Sequence, residues 1–187
     1  FTTATITYNV AVGANAGSSI TTGFHNTLIG GLVGDALTDA DHNVAVGMQA
    51  LTSDTMGSKS TAIGYTALAA QNFTTATDSH NTAVGYVAGA AVTTGLKNTF
   101  VGASAGTLTL DSSDNTAVGQ LALGGADSGG TNTAVGVQAL TACTGYDNTS
   151  IGFLAGRAIT SGHNNITIGH DAGLTGSPGG NLTTGSN

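Results

Sequence analysis

Glutamate and tryptophan are missing from this chain, and cysteine and proline occur once each. Each scarcity excludes something. Cys143 has no second cysteine to pair with, so stability must come from packing or assembly rather than disulfides. Aromatic residues make up 5% of the 187, too little bulk for an ordinary globular core. Lys59, Lys97 and Arg157 are the only fixed cations against ten Asp, for a formal charge of −7. With no basic patch, neither nucleic acid nor an anionic membrane surface is an expected partner, and the acidity serves solubility. No apolar run is long enough for a spanning helix, and no signal-peptide pattern opens the chain. Paired Cys and His, a G-x-S-x-G turn and a phosphate-binding glycine loop are all absent. The Asp residues are scattered through variable linkers rather than paired as in a glycosidase cleft. The expectation is a protein that is not an enzyme and takes no cofactor.

What the chain does have is a repeat. "NTAVG" occurs at 81–85, 115–119 and 132–136, with near copies throughout. Copies begin at Asn9, Asn26, Asn43, Ser60, Asn81, Asn98, Asn115, Asn132, Asn148 and Asn165, mostly 17 residues apart. The unit reads Asn, Thr, small residue, Val or Ile, Gly, two free positions, Ala, then Gly or Leu. The fourth position is always β-branched: Val12, Ile29, Val46, Ile63, Val84, Val101, Val118, Val135, Ile151 and Ile168. Such residues fit a pleated, half-buried surface, and they share a strand face with the second position. The fifth position is always Gly, which signals positive φ or a backbone contact too close for a side chain. The eighth is Ala in nine copies, a small inward contact, and Val33 in the other.

This period, with one strand and glycine bends per unit, predicts an all-β solenoid of about ten coils stacked at ~4.8 Å, ~48 Å in length. Residues 1–187 form a single repeat domain, expected to be an interior segment of a longer fibre protein. The first-position residues Asn9, Asn26, Asn43, Asn81, Asn98, Asn115, Asn132, Asn148 and Asn165 are expected to form an internal amide ladder.

One Val or Ile per coil contributes ~1.5–3 kcal/mol, too little to order seventeen residues at ~1–2 kcal/mol each. Three chains around an axis remove the deficit if the ten fourth-position residues form the walls of a shared core. A parallel homotrimer is therefore expected. The alternative is one chain that fills its own interior.

The N-T-A-[VI]-G-x-x-A-[LG] unit with "TTG"-type linkers, covering residues 9–173, resembles bacteriophage tail-fibre and related virion-fibre repeats. It also resembles the YadA-like head of trimeric autotransporter adhesins. The resemblance implies a trimeric left-handed β-roll with a structural or adhesive role in host attachment. The expected location is the virion, or alternatively a bacterial surface. Implied partners are other fibre or virion proteins and a host-surface glycan or protein. Adhesin heads use shorter coils, so the longer unit here fits the fibre version better.

Irregularities mark where function could sit. The spacer between Leu68 and Asn81 holds four extra residues. Gln71, Asn72, Phe73, Thr74 and Thr75 are the candidate surface-contact loop, with Phe73 as a ligand contact or as packing on a neighbouring chain. Phe100 occupies the third position and is expected on the outside or between chains. His25, His42 and His80 each precede a copy, as loop-edge polar residues rather than metal ligands. Asp35, Asp39 and Asp41 lack the pattern of a Ca²⁺ loop. The ninth position alternates in pairs between Gly and Leu, which the sequence alone does not explain. A different reading is a single-chain ice- or glycan-binding solenoid, since Thr recurs seven times at position two. Against it, there is one Thr per coil, on the face where the Val residues are expected to be buried.

Overall fold

The computed structural model describes residues 7–125 and 127–173. Segment 174–187, with Pro178 and the final "TTG", lies outside the described residues. The described chain is an all-β parallel solenoid of about nine turns and contains no helix. In chain order the strands are β1 (Val10–Val12), β2 (Thr27–Ile29), β3 (Val44–Val46), β4 (Gly57–Ser58), β5 (Thr61–Ile63) and β6 (Thr77–Asp78). Then follow β7 (Thr82–Val84), β8 (Thr99–Val101), β9 (Thr116–Val118), β10 (Thr133–Val135), β11 (Thr149–Ile151) and β12 (Ile166–Ile168). Ten of them form one sheet in which each strand pairs in parallel with its copy one coil on. Like positions stay in register, for example Ala117 beside Ala134 and Val118 beside Val135.

The fifth-position glycines from Gly13 to Gly152 meet both conditions set for them, and Gly169 meets the first. Their φ runs from 122° to 144°. A Cβ on Gly64 would sit 2.1 Å from the carbonyl oxygen of Gly85 in the next coil. Backbone lies against backbone there, so no other residue fits. The seventh position and the residue before each Asn adopt left-handed φ of 48° to 62° in every described coil, although none of them is Gly. Each such residue costs ~1–2 kcal/mol. Most are held by an N–H donated to the preceding coil, as from Leu32 to Ala14 at 2.9 Å.

The expected inward face is corrected. The third position, not the fourth, points into the coil: Leu28, Ala45, Ala62, Ala83, Phe100, Ala117 and Ala134 are fully buried. Phe100 lies in the interior of its own chain, neither outside nor between chains. Ala or Val at position eight, Leu at nine and Ile20, Leu37, Val92 and Ile159 at twelve complete the core. One chain therefore fills its own interior, and the expected shortage of apolar groups is corrected too. The fourth-position row from Val12 to Ile168 lines the outside of the sheet, 57% and 67% exposed at these two ends and half-buried by its neighbours between them, as at Val118 with 36%. The reason is space. A coil this narrow, already holding positions eight, nine and twelve, leaves room for Ala on the strand but not for a row of Val and Ile.

The same limit explains the Gly/Leu alternation. Where position nine is Gly17, Gly34, Gly89 or Gly156, position twelve is Ile20, Leu37, Val92 or Ile159. Where nine is Leu51, Leu68 or Leu140, twelve is Asp54, Gln71 or Cys143. The large third-position residues also sit against glycines. A Cβ on Gly17 or Gly34 would meet Leu28 at 2.8 and 3.0 Å, and one on Gly106 would meet the Phe100 ring at 2.4 Å. Each coil holds a fixed volume, and bulk at one inward position excludes it at the next.

Gly106→Leu should therefore destabilise the fold by about 1–3 kcal/mol through overpacking. Phe100→Ala alone should cost about 3–5 kcal/mol. The double substitution should cost less than Phe100→Ala alone, read from urea unfolding midpoints. Simple addition of the two single effects would contradict the volume exchange.

Candidate functional site: the outer sheet face and its borders

The asparagines order the coil interior. Oδ1 of Asn26 accepts the backbone N–H of Asn43 at 2.9 Å, and the pattern repeats from Asn81 through Asn165 at 2.9–3.0 Å. The Nδ2 group mostly donates to a carbonyl near the end of the same coil, as from Asn43 to Gly57 at 2.9 Å. The ladder thus runs mainly from amide to backbone. Amide-to-amide rungs occur at Asn9–Asn26, Asn132–Asn148 and Asn148–Asn165. Asn115 Nδ2 is buried without a partner.

At Ser60 the ladder lacks its Asn, and a polar plug bridges the gap. Gln71 donates to Asp54 Oδ2 at 2.6 Å and Ser60 Oγ at 2.8 Å, and it accepts from Asn81 at 2.9 Å. Asp54 Oδ1 takes the N–H groups of Gly57 and Phe73, both at 3.0 Å. A buried carboxylate is tolerable when it is satisfied in this way.

That network corrects the candidate contact loop. Gln71 is fully buried and Phe73 is 7% exposed within its own chain. Asn72, Thr74 and Thr75 are exposed. Met56 donates to the Phe73 carbonyl at 2.9 Å, and its own carbonyl accepts the N–H of Thr77 at 3.2 Å. Only residues 74–76 therefore bulge outward. Beside them β4 and β6 pair, and Lys59 Nζ meets Asp78 Oδ2 at 2.5 Å. This hydrogen bond holds the exposed Asp78 carboxyl below its ordinary range.

His25 and His42 approach at 3.2 Å and stack edgewise with Phe24. Among the described residues no three His, Cys or Asp side chains gather as metal ligands. Burial pushes the Cys143 thiol up, which keeps it protonated and unreactive.

The distinctive surface is the outer face of the ten-stranded sheet. Thr residues at position two and Val or Ile at position four form two parallel columns. At the C-terminal border of the strands, position six adds exposed Met48, Tyr65, Tyr86 and Phe153. Tyr65 and Tyr86 stack with centroids 5.4 Å apart. The residue before each Asn forms the other border: Tyr8, His25, His42, Lys59, His80 and Lys97, then Asp114, Thr131, Asp147 and Asn164, all exposed. Nine steps of ~4.8 Å by a ~10 Å strand give a largely apolar strip of roughly 400 Å². On monomers, patches of that size are often functional.

Phe73→Ala should lower stability by about 3–5 kcal/mol, whereas Thr74→Ala should stay within about 0.5 kcal/mol in thermal or urea unfolding. Equal, small effects would return Phe73 to the surface loop.

No protein-family model, curated protein or solved structure matches the chain.

Proposed function

We propose that the chain is a structural and adhesive fibre segment, a parallel homotrimer of left-handed coils, ten to a chain. Its place would be a phage tail fibre or another virion appendage engaged in host attachment. The observation that carries this reading is the apolar outer face. The chain closes its own interior and leaves a straight column of Val and Ile in water. Three such faces turned to a common axis would bury all three columns, which makes the fourth-position residues walls of a core between chains. A cyclic trimer uses each face once and leaves none exposed. The variable Asp-rich linkers would face outward, where −7 per chain keeps a long rod soluble. The head of a bacterial trimeric autotransporter adhesin has the same physics at a different address. The protruding residues 74–76 and other linkers would then meet a host glycan or protein.

A second reading gains from the same face. A single-chain ice- or glycan-binding solenoid needs a regular outer array, and the Thr and Val columns lie in register on the outer face, with the Thr side chains half-buried. Val10, Val44 and Ile166 interrupt the Thr column, and Tyr65 and Tyr86 break the flatness along its border.

Light scattering after size exclusion separates the two. The trimer reading expects three times 18.1 kDa, held through dilution. A folded monomer with thermal hysteresis activity would overturn it in favour of the ice-binding array.

A further inference from the structure

The four tyrosines are not placed alike. Tyr8 and Tyr146 each stack on a histidine, His25 and His163. Tyr65 and Tyr86 stack on each other, with centroids 5.4 Å apart and planes 12° from parallel. They occupy position six of successive coils, 21 residues apart in sequence. The backbone holds them there. The N–H of Gly85 meets the Ile63 carbonyl at 2.8 Å, and that of Val87 meets the Tyr65 carbonyl at 2.9 Å. Gly64 and Gly85 before the rings, and Thr66 and Val87 after them, all keep positive φ. The rings therefore stay one above the other, and both remain open to solvent, 43% and 61% exposed. The geometry points to a modification site: under a one-electron oxidant, Tyr65 and Tyr86 form a carbon–carbon cross-link, a covalent staple between adjacent coils. This does not rest on the trimer reading.

The chain directs such an oxidant to its tyrosines. It has no Trp, and its single Cys is a buried thiol. Methionine oxidises by gaining an oxygen atom, which forms no link. Each phenol gives up one electron and its hydroxyl proton. The unpaired spin that remains is shared between the oxygen and the ring carbons beside it, the Cε atoms. Bonding of one Cε of Tyr65 to one Cε of Tyr86 pairs the two spins. The hydrogen on each joined carbon then moves to the phenol oxygen as a proton, which restores both rings and both hydroxyls. The sum is one new C–C bond, with two electrons and two protons lost. Persulfate takes up the two electrons and becomes two sulfates, and the protons pass to water. Exposed side chains reorient in picoseconds to nanoseconds, so the stacked rings can tilt to bring two Cε atoms together. Exposure alone does not select the pair, since Tyr8 is 68% exposed and stacks on a histidine. The link closes a loop that contains the long spacer and its outward bulge at 74–76. Closing a loop lowers the entropy of the unfolded chain.

Brief illumination of the full chain with a ruthenium tris-bipyridyl complex and persulfate tests this. The expected product runs as a single chain on a denaturing gel and fluoresces blue, as linked phenols do. On digestion it should yield one joined peptide pair, two hydrogens short, containing Tyr65 and Tyr86. Tyr65→Phe and Tyr86→Phe should each abolish that pair, whereas Tyr8→Phe and Tyr146→Phe should leave it. The linked chain should need more urea to unfold than the untreated one. A chain already unfolded in urea when illuminated should give little of the pair. Equal yield in urea would mean that chance encounter rather than stacking makes the link, and would overturn the site. So would the absence of a joined pair in the folded chain, pairs dominated by Tyr8 or Tyr146, or links found only between chains.

Discussion

Stacking each coil directly on the one before, at the spacing of a backbone hydrogen bond, is the constraint on which the rest depends. It forces every position to lie over its own copy. At the fifth position the two backbones come so close that a Cβ on Gly64 would sit 2.1 Å from an oxygen. At the first position it rewards an amide, whose oxygen reaches the N–H of the next Asn while its nitrogen ties down the end of its own coil. The left-handed backbone at non-glycine corners is accepted because straightening any one of them would break the inter-coil bonds of that corner.

Stacking also fixes the volume inside. With length per coil nearly constant, the interior takes at most one large aliphatic group from positions nine and twelve, and neither at Gly106 and Thr109, where Phe100 fills the coil from the strand. Leu28 and Phe100 intrude from the strand only where glycine clears a place. In the coils around the long spacer, Leu51 and Leu68 at position nine leave position twelve polar, and Asp54 and Gln71 become a hydrogen-bonded plug. That plug covers the loss of one Asn from the ladder. A substitution that looks like decay of the repeat, Ser60 for Asn, is thus compensated eleven residues later by Gln71.

Much of this was legible in the sequence. The period, the strand at each "TAV", the glycine approach, the small eighth residue and the Asn column all follow from residue types recurring at one spacing. The inward face was not. Alternation along a strand assigns residues to two faces but does not say which is inside, and the larger aliphatics suggested positions two and four. The deciding signal was present but faint: Leu28 and Phe100 coincide with glycine at position nine in their own and the preceding coil. Phe73 misled for a related reason. An aromatic in an insertion reads as exposed until the hydrogen bonds of Asp54 draw it in. The left-handed corners were illegible, because Leu, Gln, Thr and Val occupy them without glycine.

The molecule therefore has two apolar layers: a narrow interior, with Ala on most strands, that folds the chain, and an outer column of Val and Ile that the proposed trimer would cover. The most direct test is the mass and far-ultraviolet circular dichroism of Val118→Asp, compared with Ala117→Asp. The account predicts that Val118→Asp gives a β-rich, folded monomer, whereas Ala117→Asp, with its charge in the interior, does not fold. Loss of β-structure in Val118→Asp to the same degree as in Ala117→Asp would contradict it, since the fourth position would then belong to the core that folds the chain.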